Sequence, residues 1–288
     1  MADKALVQAM NQLVYEHRKN ILDLAYERGK MHLGGDFSCA ELMIALFQHV
    51  MRIDPSHPDW PERDRFILSK GHGGGAMYLA MAQRGYFTMD EVFSTYRTGM
   101  ETRFGMHPCK AACAELDSSS GSLGHGLPLA TGMALAGKMN QKPYRVFCLL
   151  GDGELQEGSN WEAMLSAAQF KLGNLVAVID RNMLSLDGRT EELMPLEPLA
   201  DKWRAFRWNV ITVEDGNDIE QVLDAFEQLP AVDSNVPTAV IAHTIKGKGV
   251  SFMENEAKFH NSAVTEEQYQ EALKELEAAH QKIKGGNL

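Results

Sequence analysis

Polar residues suited to a cation and a phosphate follow two apolar runs in this 288-residue sequence. Asp152 follows the first run between Gly151 and Gly153, and Asn182 follows the second, about thirty positions later. This spacing fits a strand, a crossover helix and a parallel strand, so both side chains would emerge at one edge of a sheet. Carboxylate and amide oxygens suit Mg²⁺ or Ca²⁺, and glycine lets the backbone approach a phosphate closely. A lone Gly-Asp-Gly is more often a simple turn, but the paired arrangement predicts a diphosphate held through a divalent metal.

Four histidines lie in glycine-rich or irregular segments: His32, His72, His107 and His260. A single histidine in a loop is more often an exposed polar residue than a catalytic one. These segments alternate with predicted strands, however, so several of them can converge at the sheet edge where doubly wound folds bind ligands. Clustered imidazoles beside a diphosphate could donate hydrogen bonds to phosphate and sugar hydroxyls and transfer protons near neutral pH. We therefore take the four histidines as candidate catalytic residues.

The elements that would carry these residues alternate between strands and helices. This alternation favours an α/β fold, with a mostly parallel sheet and helices on both faces, built as one domain over residues 1–288. Long loops are expected over 99–126 and 244–262, and loops of that length tend to be functional. After a helix at 5–28, a glycine turn is expected over residues 30–35, followed by a second helix that Ser38 caps and that runs to about Met51. Further helices are expected up to Arg84, at 89–96 and 127–139, through residues 161–168 with a close at 171–173, and at 219–229 and 265–283. Strands are expected at 64–68, before Asp152, before Asn182, and at 208–213 and 238–242, and residues 285–288 are expected to fray.

Composition and charge argue against several classes of protein. A formal net charge of −11 argues against a nucleic-acid surface. The N-terminal residues lack the apolar core of a signal peptide, and no apolar run reaches the roughly eighteen residues of a membrane helix, so we expect a cytoplasmic protein. The cysteines, Cys39, Cys109, Cys113 and Cys148, lack the spacing of a zinc site and are expected to be reduced thiols.

The residues around Asp152 and Asn182 form a longer pattern, GDG-E-x-x-E-G-x-x-W-E-A followed by N-L-V-A-V-I-D-x-N. This pattern resembles the diphosphate-binding signature of thiamine diphosphate enzymes, and within them the transketolase branch. The resemblance covers nearly the whole chain and corresponds to the N-terminal half of that family. In the family's Ser-Gly-His-Pro-Gly-Gly element, Leu33 replaces proline and Met31 stands where glycine is usual. Further similar elements are Leu68–Gly73, Gly105–Pro108, Gly121–Gly126, and Lys246–Met253 with His260.

The resemblance implies a thiamine diphosphate-binding fold and a role for each site residue. The metal, Mg²⁺ or Ca²⁺, would be bound by Asp152, Asn182 and the backbone carbonyl of Leu184. His72 and His260 would lie near the diphosphate and the reacting carbon. The residues implied to bind the cofactor are His72, Gly121, Leu123, Gly151, Asp152, Gly153, Glu157, Asn182 and His260.

On the substrate side, the resemblance implies that His32 and His107 contact hydroxyls of a sugar phosphate. Glu157 and Glu162 match acidic positions at the dimer contact or in support of the site. The glutamate that activates the aminopyrimidine belongs in this family to a separate pyrimidine-binding domain, which these residues do not include. The resemblance therefore implies a split transketolase. This subunit would bind the diphosphate, a second polypeptide would complete the site, and an α2β2 assembly is expected.

Transfer of a two-carbon ketol group from a ketose phosphate to an aldose phosphate is the implied activity. The α subunit of a 2-oxo acid dehydrogenase shares the Gly-Asp-Gly and asparagine pattern, but the Leu-Ser-Lys-Gly-His-Gly element and the Lys-Gly-Lys-Gly loop favour transketolase. A deoxyxylulose phosphate synthase is a weaker alternative, because that family is a single longer chain. The alternative outside enzymes is a non-catalytic scaffold with the same fold.

Overall fold

A parallel sheet lies at the centre of the computed structural model, which describes residues 2–99 and 102–284. The strands within these residues are β1 (Arg65–Leu68), β2 (Val146–Gly151), β3 (Leu175–Arg181), β4 (Asn209–Val213) and β5 (Thr238–His243). They lie in the order β1-β2-β3-β5-β4, and every neighbouring pair is parallel. Gly151 pairs with Asp180, so Asp152 directly follows β2 at the level where β3 ends. The predicted parallel sheet is confirmed.

Helices cover both faces of this sheet. The helices are α1 (Lys4–Arg28), α2 (Leu33–Ser38), α3 (Ala40–Ala45, continued by a π-helical turn over Leu46–Val50), α4 (Gly74–Arg84), α5 (Met89–Thr95), α6 (Gly126–Met139), α7 (Gly158–Gln169), α8 (Thr190–Leu193), α9 (Leu199–Ala205), α10 (Ile219–Glu227) and α11 (Glu266–Lys284). Side chains alternate in direction along a strand. Phe147 and Leu149 of β2 therefore join one apolar core, with α1, α3, α4 and α10, while Cys148 and Leu150 join another, with α6, α7 and α9. The predicted layers are confirmed.

One helix begins earlier than the sequence predicts. Residues 33–35, expected as part of a glycine turn, are the first turn of α2, and Ser38 ends this helix instead of capping the next one. The prediction of a Ser38 cap is wrong because the hydroxyl is used elsewhere, donating to Asp180 Oδ2 at 2.6 Å. Gly34 lies within this helix, and a Cβ there would lie 3.0 Å from Lys246 Cγ. The glycine thus permits close packing and does not mark a turn.

Most other helix and strand ends lie within two residues of the predicted positions. Helices α8 and α9 were not predicted, nor were the 3-10 turns over Gly153–Gln156 and Ala257–His260. Residues 102–125, within the described part of the chain, contain no helix or strand, as expected for the long loop. Residues 285–288, expected to fray, lie outside the described residues.

The cysteines are free, as predicted: Cys39, Cys113 and Cys148 are buried and Cys109 is exposed. Across residues 2–99 and 102–284, no helix combines the length and the apolar character needed to cross a membrane.

Candidate functional site

The carboxyl edge of β2 and β3 opens into a cavity of about 520 Å³. Its walls combine oxygen donors from the strand ends with basic side chains from the surrounding loops. Nine predicted site residues line it, namely His72, Leu123, Gly151, Asp152, Gly153, Glu157, Asn182, Leu184 and His260. Gly35, Lys70 and Lys246 also line it, although the sequence analysis gave none of them a role. The candidate residues thus meet at the sheet edge to which the alternating strands assign them.

Asp152 is held in one orientation by three donors. Its side chain is almost fully buried, and Oδ1 accepts from the Gly153 backbone N–H at 2.8 Å. Oδ2 accepts from the Met183 backbone N–H at 2.6 Å and from Arg181 Nη1 at 3.0 Å. Burial and the neighbouring Asp180 raise the pKa of the Asp152 carboxyl group, and the Arg181 guanidinium opposes that rise. Oδ1, with a single donor, keeps capacity for a further partner.

Asn182 and Leu184 supply the other oxygens of the predicted metal site. Asn182 Nδ2 donates to Asp180 Oδ2 at 3.0 Å, and Asn182 Oδ1 accepts from the Leu184 backbone N–H at 3.1 Å. The Leu184 carbonyl accepts from Lys246 Nζ at 3.0 Å. No group of three His, Cys, Asp or Glu side chains forms a metal site among the residues described. The predicted donors are instead carboxylate, amide and carbonyl oxygens, which fit a hard cation such as Mg²⁺ or Ca²⁺.

A buried ion pair beneath the cavity connects four segments of the chain. Lys70 Nζ donates to Asp180 Oδ2 and to the Gly35 carbonyl, each at 2.7 Å. Asp180 also accepts from the hydroxyl groups of Ser38 and Thr244. Burial favours the neutral forms, yet the mutual attraction holds the pKa of Asp180 below its ordinary value and that of Lys70 above it. Both groups are therefore charged, and they fix the loop that carries His72 against α2, β3 and β5.

Glu154 joins the three glycine-rich elements of the site. This side chain is buried, and its Oε1 accepts from the Ser69 hydroxyl and from the Gly124 backbone N–H, the latter at 2.9 Å. Its Oε2 accepts from the Gly151 backbone N–H at 3.1 Å. Burial raises the pKa of the carboxyl group, and these donors oppose the rise. Glu154 thus ties the end of β2 to the loop after β1 and to the turn over residues 121–126.

The turn over residues 121–126 packs closely on the loop after β1. A Cβ at Gly71 would lie 2.7 Å from the Gly121 backbone nitrogen, and a Cβ at Gly126 would lie 2.6 Å from Ser69 Cα. These contacts explain why both elements are rich in glycine. Gly121 also lies beside His107, since a Cβ at Gly121 would lie 3.6 Å from the His107 ring.

The structure brings all four candidate histidines together. The His32 ring centroid lies 5.0 Å from that of His72, 6.3 Å from that of His107 and 5.4 Å from that of His260, and the His72 and His260 centroids are 5.3 Å apart. Burial, with nearby cationic groups, lowers the pKa of His32 to about 4 and that of His260 to about 3. Burial also lowers the pKa of His72 and His107. His32 and His260 are therefore neutral imidazoles at pH 7, each with one donor and one acceptor.

Leu33 does not displace His32 from this cluster. His32 directly precedes α2, and Leu33 is the first residue of the helix and fully buried. Proline is favoured at that helical position because its missing N–H has no intrahelical partner there. Leucine can occupy the same position, as it does in this helix.

Exposed residues surround the mouth of the cavity. Glu157 lies at the mouth, and Glu162 lies on the exposed side of α7. Their implied role at a dimer contact stays a prediction. Four exposed apolar side chains also line the mouth, Leu123, Leu186, Leu193 and Met194, and we call this set the apolar rim.

The sequence analysis missed five charged residues that support the site, namely Lys70, Glu154, Asp180, Arg181 and Lys246. Each is a charged residue inside a glycine-rich element or at the end of an apolar run. Charged residues are rarely buried unless they are paired, so their placement within these elements was the available signal.

The fold and the site together define a thiamine diphosphate-binding domain. The family model described as "Transketolase, thiamine diphosphate binding domain" matches residues 9–283. The chain belongs to this family, which confirms the resemblance inferred from its motifs.

Two relatives match this chain over nearly their whole length. The 6-deoxy-6-sulfo-D-fructose transketolase subunit SqwG of Clostridium sp. (strain MSTE9) is 42% identical over 271 residues, which cover 92% of this chain and 97% of that protein. An apulose-4-phosphate transketolase subunit from Phocaeicola vulgatus is 38% identical over 272 residues, which cover 94% of this chain and 95% of that protein. Both matches favour a transketolase subunit over the α subunit of a 2-oxo acid dehydrogenase and over a scaffold protein.

A solved structure shows the same fold in a longer chain. The transketolase from Campylobacter jejuni superposes on 96% of this chain with a TM-score of 0.84 and 26% sequence identity. This chain spans 43% of that transketolase chain.

Proposed function

We propose that this chain is the diphosphate-binding subunit of a two-component transketolase. With its partner it would transfer a two-carbon ketol group from a ketose phosphate to an aldose phosphate. The observation that carries the proposal is the convergence of hard oxygen donors and four histidines at one sheet edge, in a chain that matches two transketolase subunits nearly end to end.

The oxygen donors would hold the cation of the cofactor. Asp152, Asn182 and the Leu184 carbonyl suit Mg²⁺ or Ca²⁺, and the glycines beside Asp152 leave room for a diphosphate. Lys246 donates to His260 Nδ1 at 2.9 Å, so the neutral imidazole carries its proton on Nε2 and can donate it to a diphosphate oxygen. When bound, thiamine diphosphate supplies a nucleophilic thiazolium carbon and an electron sink for cleavage of the carbon–carbon bond.

The remaining histidines suit a polyhydroxy substrate. His32 lies beside His72, which lines the cavity, and His107 lies beside His32. A neutral imidazole can donate one hydrogen bond and accept another, which matches a sugar hydroxyl, and it can take up a proton that the hydroxyl releases. We therefore assign His32 and His107 to the sugar phosphate, and His72 and His260 to the region of the diphosphate and the reacting carbon.

The partner subunit would complete the active site. It would supply the glutamate that activates the aminopyrimidine and most of the groups that bind the sugar's phosphate. The apolar rim gives such a partner a surface to cover. Two copies of each subunit would form the α2β2 assembly. We place this assembly in the cytoplasm, where free thiols such as those of this chain stay reduced.

The test compares the isolated chain with the reconstituted complex. The chain is purified by itself and together with a transketolase subunit that carries a pyrimidine-binding domain, and ketol transfer is measured with Mg²⁺ and thiamine diphosphate. We expect transfer from the complex, none from the isolated chain, and none from a complex that contains Asp152→Ala. Full transfer by the isolated chain would refute the split site. Release of CO₂ from pyruvate without ketol transfer would favour the 2-oxo acid dehydrogenase, and calorimetry showing no cofactor binding by the complex would favour a scaffold.

A further inference from the structure

A buried arginine lies directly behind the proposed metal ligand. Arg181 is fully buried at the end of β3, and its Nη1 donates to Asp152 Oδ2 at 3.0 Å. Its Nη2 donates to Glu191 Oε1 at 2.7 Å and to Glu197 Oε1 at 2.9 Å. One guanidinium therefore connects the metal ligand to two carboxylates of residues 190–197, which we call the wall segment.

The wall segment forms one side of the cavity. Its Leu193 and Met194 side chains line the cavity and belong to the apolar rim. Glu191 accepts hydrogen bonds from the backbone N–H groups of Leu196 at 3.0 Å and Glu197 at 3.2 Å, so its carboxylate holds the turn of the segment. Arg181 Nη1 also donates to the Thr190 hydroxyl at 2.8 Å, so the Arg181 side chain connects the path of this segment to the orientation of Asp152.

The positive charge of Arg181 offsets the negative charges of the carboxylates around it. One guanidinium faces three carboxylates, those of Asp152, Glu191 and Glu197. The two glutamates are partly exposed and can be hydrated, whereas Asp152 is almost fully buried. Without the arginine, Asp152 Oδ2 would keep a single donor, the Met183 backbone N–H. The carboxylate would then be free to rotate, and rotation moves an anionic oxygen away from the cation.

We propose that Arg181 is a positioning residue that fixes Asp152 for the cation and couples that ligand to the wall segment, so that cation binding orders one side of the cavity. The inference rests on the proposed function, because the cation is that of the cofactor. Groups that orient a metal ligand typically contribute roughly 10–100-fold to metal affinity. The opposite result would also have a simple cause. A guanidinium close to a cation repels it, so removal of Arg181 would then tighten Mg²⁺ binding.

The test measures metal affinity and local protection in the complete complex. Mg²⁺ is titrated in the presence of saturating thiamine diphosphate by calorimetry, and hydrogen exchange of the wall segment is followed with and without both ligands. In wild type, we expect the ligands to increase protection of the wall segment. Arg181→Met should bind Mg²⁺ at least tenfold more weakly and lose that gain. Arg181→Lys should recover part of the affinity but not the protection, because an ammonium lacks the planar fork that reaches Asp152 and both glutamates.

Two further variants make the outcome decisive. Arg63→Met removes another buried arginine paired with an aspartate, Asp117, at 2.8 Å, and should leave Mg²⁺ affinity unchanged. Glu191→Gln with Glu197→Gln keeps the bond between Arg181 and Asp152 but removes both ion pairs to the wall segment, and it should reduce the ligand-dependent protection even if Arg181→Met does not fold. Unchanged or tighter Mg²⁺ binding by Arg181→Met, or wild-type protection in the double variant, would overturn the inference and leave the proposed function intact. Failure of the wild-type complex to bind Mg²⁺ and thiamine diphosphate would overturn both.

Discussion

Lys246 Nζ lies 2.9 Å from His260 Nδ1 and joins two sides of the cavity. The same ammonium donates to the carbonyls of Leu184 and Ser185, each at 3.0 Å, so all three of its N–H groups are used. Burial lowers the pKa of Lys246 to about 8 and that of His260 to about 3. At pH 7 the ammonium therefore donates to a neutral imidazole, and it shares a carbonyl that we assign to the cation.

Lys246→Met is expected to separate cofactor binding from metal binding. Without the ammonium, His260 is no longer held in the tautomer that donates through Nε2. The diphosphate would then lose a hydrogen bond that typically contributes about 0.5–1.5 kcal/mol, so affinity for thiamine diphosphate should fall roughly two- to tenfold. Affinity for Mg²⁺ without the cofactor should not fall, because the positive group on the Leu184 carbonyl has been removed. Calorimetric titration of each ligand checks the prediction. Lys258→Met, at an exposed position near His260, is the control that should change neither affinity. Equal weakening of both ligands by Lys246→Met would contradict this account.

Glu154→Gln is expected to loosen the turn over residues 121–126. Glutamine keeps the size of the side chain but offers one acceptor oxygen where the carboxylate offers two, so a buried donor among Ser69, Gly124 and Gly151 loses its partner. Such a loss typically costs about 1–3 kcal/mol. The free energy of unfolding in urea should fall by this amount, and hydrogen exchange over residues 121–126 should accelerate. Glu157→Gln, at an exposed carboxylate three residues later, should leave both measurements unchanged. Similar effects of the two variants would contradict the role of Glu154 in holding this turn.

Two glycines of α6 provide a matched test of how closely this helix packs. A Cβ at Gly126 would overlap Ser69, lying 2.6 Å from its Cα, whereas a Cβ at Gly132 would meet no atom within 4 Å. Gly132→Ala should stabilise the protein by about 0.5–1 kcal/mol through helix propensity. Gly126→Ala should destabilise it by about 1–3 kcal/mol, because backbone or Ser69 must move. Thermal unfolding of both variants measures whether their stabilities change in opposite directions. A stabilising Gly126→Ala would show that the loop after β1 is free to adjust.

Asp36 is expected to make stability depend on pH. Its carboxyl group is buried, and no donor among the described residues bonds to either oxygen. Burial raises its pKa from 3.8 to about 7, and the nearby Lys70 opposes the rise. Between pH 3.8 and about pH 7, the folded state therefore keeps a proton on Asp36 that the unfolded chain has lost. The resulting stabilisation is complete below the unfolded pKa and is lost as the pH rises through 7.

Asp36→Asn should remove this pH dependence, because the amide stays neutral. Relative to wild type, the free energy of unfolding of the variant should increase from about pH 4 to about pH 7 and then level off. Urea unfolding of both proteins at several pH values measures the difference. A difference that does not change with pH would show that Asp36 titrates at the same pH in the folded and unfolded states.

The sheet and its two metal-site strands could be predicted because local sequence determines them. β2 and β3 each contain a short apolar run, followed by Gly151 in β2 and by Asp180 in β3, and both faces of each strand are buried. Asp152 and Asn182 follow directly from where these strands end. The convergence of four histidines followed from the same alternation of elements, although their distances required the folded chain.

The supporting groups could not be predicted in this way, because their partners are distant in sequence. Glu154 binds Ser69 and Gly124, which are 85 and 30 positions away. Lys70 binds Asp180, which is 110 positions away. The start of α2 was wrong for a related reason: Gly34 resembles a turn residue until its contact with Lys246 is known.

The pairing of Gly151 with Asp180 also bears on how this enzyme could diverge. Main-chain hydrogen bonds, which every amino acid except proline can donate, align the two strands that carry the oxygens of the proposed metal site. Substitutions on the surrounding helices can therefore accumulate while those oxygens keep their spacing. Changes in the loops can therefore alter the substrate proposed for this site while the strand ends that carry Asp152 and Asn182 keep their positions.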